Sequence, residues 1–317
     1  MRTFKWITIR DERQFRAFTG LSQKEFDRLL TEFTKALESA QQQRYNKKYP
    51  LQRQRKPGGG RKGALSTPEL KLFFILFYLK TYPTFDVLGG LFDLSPAKAQ
   101  ENVVKLLPML KHAEKNLRVL PHRHFKPAQD NPKNTDKKQK IIIDATERPC
   151  SRPTHARKQK HYYSGKKRQH TLKNTVIADG TKGIPVVGPT APGSRHDYAL
   201  LKEELNPDQP GLSSVEVSVD LGYQGIKDHY PNFNKIGIPH KKPRKSKKNP
   251  NPTLTPKQKK ENRALSRTRV AVEHLIGDLK VFHSLTIKFR NHIQSMADQV
   301  ILLVAGLCNL KNEYIVQ

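Results

Sequence analysis

The chain has 317 residues, with 59 Lys and Arg against 28 Asp and Glu, a formal net charge of +31. A surplus of that size excludes an ordinary small-molecule enzyme as the default and points to a polyanionic partner, nucleic acid before an anionic membrane surface. Hydrophobic residues make up 35%, enough for a core, which excludes wholesale disorder.

The length suggests two or three domains at roughly 100–200 residues each. Cys150 and Cys308 are too few for a disulfide framework or a Cys-built zinc site. The opening stretch MRTFKWITIRDERQF lacks the apolar run of a signal peptide, and residues 72–79 and 300–305 fall short of the ~18 needed for a membrane span. A cytoplasmic, nucleoid-associated protein without membrane contact is expected.

The first segment covers residues 1–43. Its GLSQKEFDRLLTEFTKAL sets Leu21, Phe26, Leu29, Leu30, Phe33 and Leu37 at helical spacing, with Ser22 and Glu25 in a capping-box pattern. Residues 44–65 read as a basic, Gly-rich linker; within them, 44–62 hold eight basic residues, two prolines and no acid. Residues 66–111 predict three helices: one starting at Thr67-Pro68 and apolar nearly all round, a short one at 84–92, and one capped by Ser95. The last two form a helix-turn-helix, an all-α DNA-binding domain in which Lys98, Gln100 and Glu101 face the groove. A solvated helical hairpin would show the same pattern. Residues 112–139 are a polar connector.

From residue 140 the character turns to β. KIIIDA is an apolar run ending at Asp144; residues 169–188 predict a hairpin turning at Asp179-Gly180; VEVSV runs into Asp220. Residues 240–263 carry ten Lys and Arg with four prolines, a mobile surface segment that merges into a helix at about Pro256. A last apolar helix spans about 295–310. The order predicts a mixed α/β sheet with helices on its faces.

Two acids, Asp144 and Asp220, thus end apolar strands, where open α/β sheets gather their sites. A third, Glu273, lies on the helix RTRVAVEHLIGDLK. At about 100° per residue, Glu273 falls about 40° and Lys280 about 20° from Arg269, so all three share a stripe beside the apolar Leu275, Ile276 and Leu279. An ion-pair ladder between Arg269 and Glu273 explains the helix equally well. Taken together, three carboxylates suit two Mg²⁺ (or Mn²⁺) ions acting on a phosphodiester.

At these residues the chain resembles the DDE transposases of bacterial insertion sequences, the DDE superfamily endonuclease branch. The resemblance is carried by IIIDATERPCSRP, HYYSGKKRQHTLKN, GSRHDYALL, VDLGYQG and the Arg-x3-Glu-x6-Lys spacing of RVAVEHLIGDLK, over roughly residues 56–312. It implies an RNase H-like catalytic domain with a mixed five-stranded sheet over residues 140–317, and Asp144, Asp220 and Glu273 as its metal-binding catalytic triad. It implies cleavage of double-stranded DNA at the terminal repeats of the element, attack of the freed 3′-OH on target DNA, and a homodimer or larger assembly on paired ends. Arg269 and Lys280 are expected on phosphates near the cut. Some relatives carry Tyr three residues before that Arg; Ser266 stands there in this chain.

Lys166, Lys167 and Arg168, beside Tyr162 and Tyr163, suit phosphate contact and stacking, as they would a solvated hairpin edge. His196 and Asp197 either order the site from behind or cap a helix. Glu147 points away from Asp144 on a strand and reads as an ion pair with Arg148 or Arg152. A helix-turn-helix regulator or a domesticated, non-transposing nuclease remains the alternative.

Overall fold

The computed structural model describes residues 2–4, 7–48, 63–127, 139–180, 182–246, 249–291 and 293–316. Most of the basic linker, including its Pro-Gly-Gly-Gly-Arg-Lys stretch, and residues 128–138 of the connector lie outside the described residues.

A two-stranded ribbon, β1 (Arg2–Phe4) and β2 (Ile7–Ile9), and a helix α1 (Glu12–Thr19) open the chain. Neither was expected: three-residue strands give too little alternation to read. α2 (Gln23–Lys48) starts where the capping box puts it, with the Ser22 hydroxyl accepting from the Glu25 N–H and the Glu25 carboxylate accepting from the Ser22 N–H. It runs on to Lys48, into the basic stretch. α3 (Pro68–Thr81) is capped by Thr67 and buries every residue from Leu72 to Leu79. α4 (Phe85–Phe92) and α5 (Pro96–Asn116), capped by Thr84 and Ser95, follow across a tight turn. There Gly89 is required, because a Cβ would lie 2.5 Å from the Leu94 carbonyl oxygen.

The mixed sheet contains β3 (Gln139–Pro149), β4 (Tyr163–Ser164), β5 (Gln169–Ala178), β6 (Val186–Val187), β7 (Ala191–Pro192), β8 (Val215–Ser218) and β9 (Lys235–Gly237). Its order is β4-β5-β3-β8-β9, with β6 and β7 also on β5; β3 is antiparallel to β5 and parallel to β8, which is parallel to β9. Five strands were expected and seven are found among the described residues. Beyond β5 lie three two-residue pieces: β4, which precedes it in the chain, and β6 and β7, which Pro185, Pro189 and Pro192 keep short because they lack the N–H a continuous ladder needs. The helices α6 (Ala156–Tyr162), α7 (Asp197–Glu204), α8 (Ile226–His229), α9 (Pro256–Lys280) and α10 (Gln294–Lys311) complete the fold.

Period-two alternation along β3 divides the interior. Ile141 and Ile143 join a cluster with Leu201, Leu205, Tyr223 and Tyr230 on one face. Ile142 joins the other cluster, which also holds Phe4, Phe33, Phe73, Leu110, Val272 and Leu303. That second cluster runs continuously from the N-terminal helices to α9 and α10. Arg290 strengthens the junction by donating to the Tyr82 and Pro83 carbonyls at 2.9 and 2.6 Å. Asn309, fully buried, keys α10 to the sheet by donating to the Val119 and Ile184 carbonyls and accepting from the Ile184 N–H.

Inside this cluster Glu114 of α5 is fully buried and neither carboxylate oxygen has a hydrogen-bond partner; Gly306 of α10 leaves room for it, since a Cβ there would lie 2.2 Å from Oε2. Burial therefore raises its pKa well above the ordinary carboxylate range. An acid with a raised folded-state pKa stabilises fully below its unfolded value and loses that contribution as pH rises through the folded one. Glu114→Gln should leave the thermal midpoint nearly unchanged at about pH 4.5 and raise it at about pH 8, by roughly 4 °C or more. Equal midpoints at the higher pH would show that the carboxyl ionises in the folded chain as readily as in the unfolded one.

Candidate active site

Asp144 enters from the middle of a strand. The expectation that it ends β3 is corrected: the strand continues to Pro149, because pairing with β5 runs on from Asp144↔Val176 to Pro149↔Thr171. What does stop is the other neighbour. The last β8 residue, Ser218, lies opposite Ile142, and the chain then leaves the sheet through Val219 and Asp220. Both aspartates therefore occupy the point where the parallel edge of β3 becomes free. The parity of each strand sends them to the same face, that of Ile142, where α9 packs.

α9 is fixed by a complete capping box, Thr255 with Gln258, and Pro256 in its first turn. Its buried Val272, Leu275, Ile276 and Leu279 dock it on the sheet, which turns Arg269 inward at 16% side-chain exposure. The guanidinium bridges two acids: Nη1 donates to Asp220 Oδ1 at 3.1 Å, and Nη2 lies 3.8 Å from Glu273 Oε1. Glu273 is itself half exposed. Asp144 is part-buried, and its Oδ1 accepts from the Ala145 N–H at 2.8 Å. Burial raises the Asp144 pKa; that N–H and the Arg269 charge oppose the rise, while the Asp220 and Asp197 charges add to it. Two of the three predicted acids thus meet on one cation, and the third feels the same cation and one of the two acids. Among the described residues no three His, Cys, Asp or Glu side chains are grouped closely enough to hold a metal.

Behind Asp144, on the opposite face of the sheet, lies a buried ion cluster. Lys173, paired in register with Glu147, donates to Asp197 Oδ1 and the Arg195 carbonyl, both at 2.7 Å, and approaches Glu147 Oε1 at 3.3 Å. The expectation of a Glu147 pair with Arg148 or Arg152 is corrected. Glu147 does face away from Asp144, and that is the face Lys173 shares; Arg148 belongs to the other and bonds Asn174 and Thr190. Burial works to raise the Glu147 pKa, but hydrogen bonds from Ser164 and Thr171 and the Lys173 charge outweigh it, so its carboxyl stays below the ordinary range. His196 caps α7 by accepting from the Tyr198 N–H through Nδ1. Its neighbour Asp197 is the residue that reaches the cluster.

Three further side chains near the acids were not among the site residues expected from the sequence. Tyr223 is 1% exposed, and its hydroxyl has no hydrogen-bond partner. Burial and the charges of Asp197, Asp144, Glu204 and Asp220 hold that hydroxyl protonated. Glu204 is pushed up to about 7 by burial. Lys173 is the third, because an alternating strand presents a lysine as if it faced solvent.

The remaining candidates stand apart from the acids. Lys280 is exposed two turns beyond Glu273, and Lys166, Lys167 and Arg168 are exposed in the β4–β5 turn, Arg168 at φ 53°. On α5, Gln100 is exposed, while Lys98 pairs with Glu101 at 2.8 Å and Lys105 pairs with the same carboxylate.

Against known proteins, the chain matches the family described as DDE superfamily endonuclease over residues 143–309, from the strand residue before Asp144 to α10. It is 29% identical over 303 residues to the probable transposase for insertion sequence element IS702 of Microchaete diplosiphon, covering 94% of each chain. No solved structure matches. The chain belongs to the DDE superfamily endonucleases.

Lys173 is the counter-charge on which the rear cluster depends. Lys173→Met should destabilise the protein by about 3–5 kcal/mol in urea denaturation, because it leaves the nearly sealed Glu147 carboxylate without its counter-charge. A loss below about 1 kcal/mol, the worth of an exposed pair, would show that water already reaches the cluster.

Proposed function

We propose, from membership of the DDE superfamily endonucleases, that this protein is a transposase: it cuts double-stranded DNA at the ends of its insertion sequence and joins the freed 3′-OH to target DNA. One observation carries this reading. Asp220 from a strand end and Glu273 from a helix are held on a single guanidinium, with Asp144 within reach of the same charge. The near full-length likeness to a probable transposase supports it further. The alternative of a regulator is not favoured, since the family match covers the acid-bearing half of the chain.

The sheet order, with one antiparallel arm and three parallel strands, supports an RNase H-like reading of residues 140–317. The Ser95-capped turn between α4 and α5 supports a helix-turn-helix within 66–111, with Lys98 and Gln100 toward DNA. A homodimer on paired element ends and a nucleoid-associated, cytoplasmic setting belong to the same proposal. No helix among the described residues is long and apolar enough to cross a membrane.

The donor set fits a hard divalent cation, Mg²⁺ or Mn²⁺, in two respects. All three side chains offer carboxylate oxygens, and Arg269 shows that a cation is already favoured between two of them. Bound by Asp144, Asp220 and Glu273, a pair of such ions would activate the attacking oxygen and stabilise the leaving one. The chain's own groups do the rest. Arg269, released from the acids, donates to two oxygens of a phosphate in a bidentate grip. Lys280, along the same helix, holds the strand as a point charge. Ile142 and Val272 keep the floor of the site apolar and dry, which strengthens every charge interaction above it. Asp197 orders the site from behind through Lys173, while His196 caps the helix that carries it.

Asp144→Ala, Asp220→Ala and Glu273→Ala should each reduce Mg²⁺-dependent cleavage of duplex DNA to background while leaving DNA affinity within about threefold, a change of under 1 kcal/mol. Retained cleavage by any of the three removes that residue from the mechanism. Arg269→Gln separates two roles. It should bind Mg²⁺ more tightly than wild type in calorimetry, having lost the competing cation, yet cleave DNA at least about tenfold more slowly. Weaker Mg²⁺ binding would mean that Arg269 organises the carboxylates instead of competing for them.

A further inference from the structure

A second concentration of charge packs against β5 and is used by none of the roles above. α6 reads ARKQKHY and contains no acid. Arg157, Lys160 and His161 stand at i, i+3 and i+4, one face of the helix, with Lys158 beside them; all four are exposed. Like charges so placed repel, and the acids of the adjoining loop and helix are committed elsewhere: Asp197 to Lys173, Glu203 to Arg195. Among the described residues none of Arg157, Lys158 and Lys160 has a carboxylate partner.

These side chains are not spread over a flat surface. Arg157, Lys158, Lys160, His161 and Ser194 line a cleft of about 640 Å³. Ser194 closes it by donating its hydroxyl to the His161 carbonyl at 2.5 Å. Ser194 also begins the Ser-Arg-His-Asp run that ends at Asp197, the residue whose charge reaches Asp144. The cleft is therefore joined by one short loop to the ion cluster behind Asp144. On its far side Lys158 also faces a cavity of about 470 Å³ lined by Tyr162, Pro153, Leu172 and Thr154.

We propose that α6 and the Ser194 loop form a cradle for the phosphodiester backbone of DNA, holding the duplex as it approaches the carboxylates. The inference rests on the DNA-cutting reading and names the surface that reading lacks. A helix of this length is about 10 Å long. Duplex DNA presents a charge every ~1.7 Å of axis, so several phosphates fall within reach of the cationic face. A membrane surface fits less well. α6 exposes no large aliphatic side chain to insert, since its only non-polar members are Ala156 and the part-buried Tyr162.

The test is the salt dependence of binding by the full chain to a random-sequence duplex of about 30 base pairs, with cleavage followed in parallel. Arg157→Ser/Lys158→Ser/Lys160→Ser should lower the slope of log K against log salt by about 2 to 3, near 0.9 for each phosphate no longer neutralised, and weaken binding at least tenfold at about 0.1 M salt. A control with the exposed α2 cations replaced, Lys24→Ser/Arg28→Ser/Lys35→Ser, should keep the wild-type slope. Should the triple variant unfold, Arg157→Gln and Lys160→Gln alone should each remove about 0.9 from it. An unchanged slope, an equal fall in the α2 control, or loss of binding only to phosphatidylserine vesicles overturns the cradle. If wild type still binds and cuts DNA, only the cradle fails; if wild type does neither, the DNA-cutting reading fails with it.

Discussion

Carboxylates crowded together repel, and this fold gathers several of them around the free edge of β3. The arrangement holds because two cations are built into it from opposite faces of the sheet. Arg269 comes down from α9 between Asp220 and Glu273. Lys173 comes up from β5 between Glu147 and Asp197. Their environments differ in a way that suits different duties. Lys173 is nearly sealed, meets three acceptors and has nowhere to go, so it fixes the loop that carries Asp197. Arg269 touches two half-exposed acids at longer range, and its Nε has no partner. It is the looser of the two and the one an incoming ligand can displace.

Much of this arrangement was legible in the residues because local rules agree with the global fold. The caps at Ser22, Thr67 and Ser95 placed three helix starts, since each supplies an oxygen to an otherwise unpaired N–H. The Asp179-Gly180 turn fixed the β5–β6 pairing in the same way. Asp144 was identified for a reason only half correct. An acid after three isoleucines suggests a strand end, yet the edge that ends belongs to β8; a one-dimensional pattern cannot say which neighbour stops pairing. Lys173, Tyr223 and Glu204 were opaque for a related cause. Their significance lies in burial and in the charges facing them, and both depend on packing between segments distant in sequence. The short β1–β2 ribbon and α6 carry too few apolar residues to produce a period.

The chain's positive charge has structure as well as size. On α5 the cations Lys98 and Lys105 share Glu101, which moderates that surface. On α6 and in the turn at residues 166–168 the described cations have no such partner. Charge left uncompensated beside a site that itself concentrates acid gives neighbouring regions of opposite sign. A polyanion arriving on the basic side meets repelling carboxylates only at the point of reaction, where a divalent ion reverses their sign.

The carboxyl of Glu114, pressed between α5 and α10, also bears on how the chain assembles. Gly306 of α10 packs directly on that carboxylate, so until α10 docks the side chain lacks this cover from water. Docking of the last helix removes it from water, so closure of the core draws a proton from the surroundings. Completion of the molecule is thereby an acid–base event as well as a packing one.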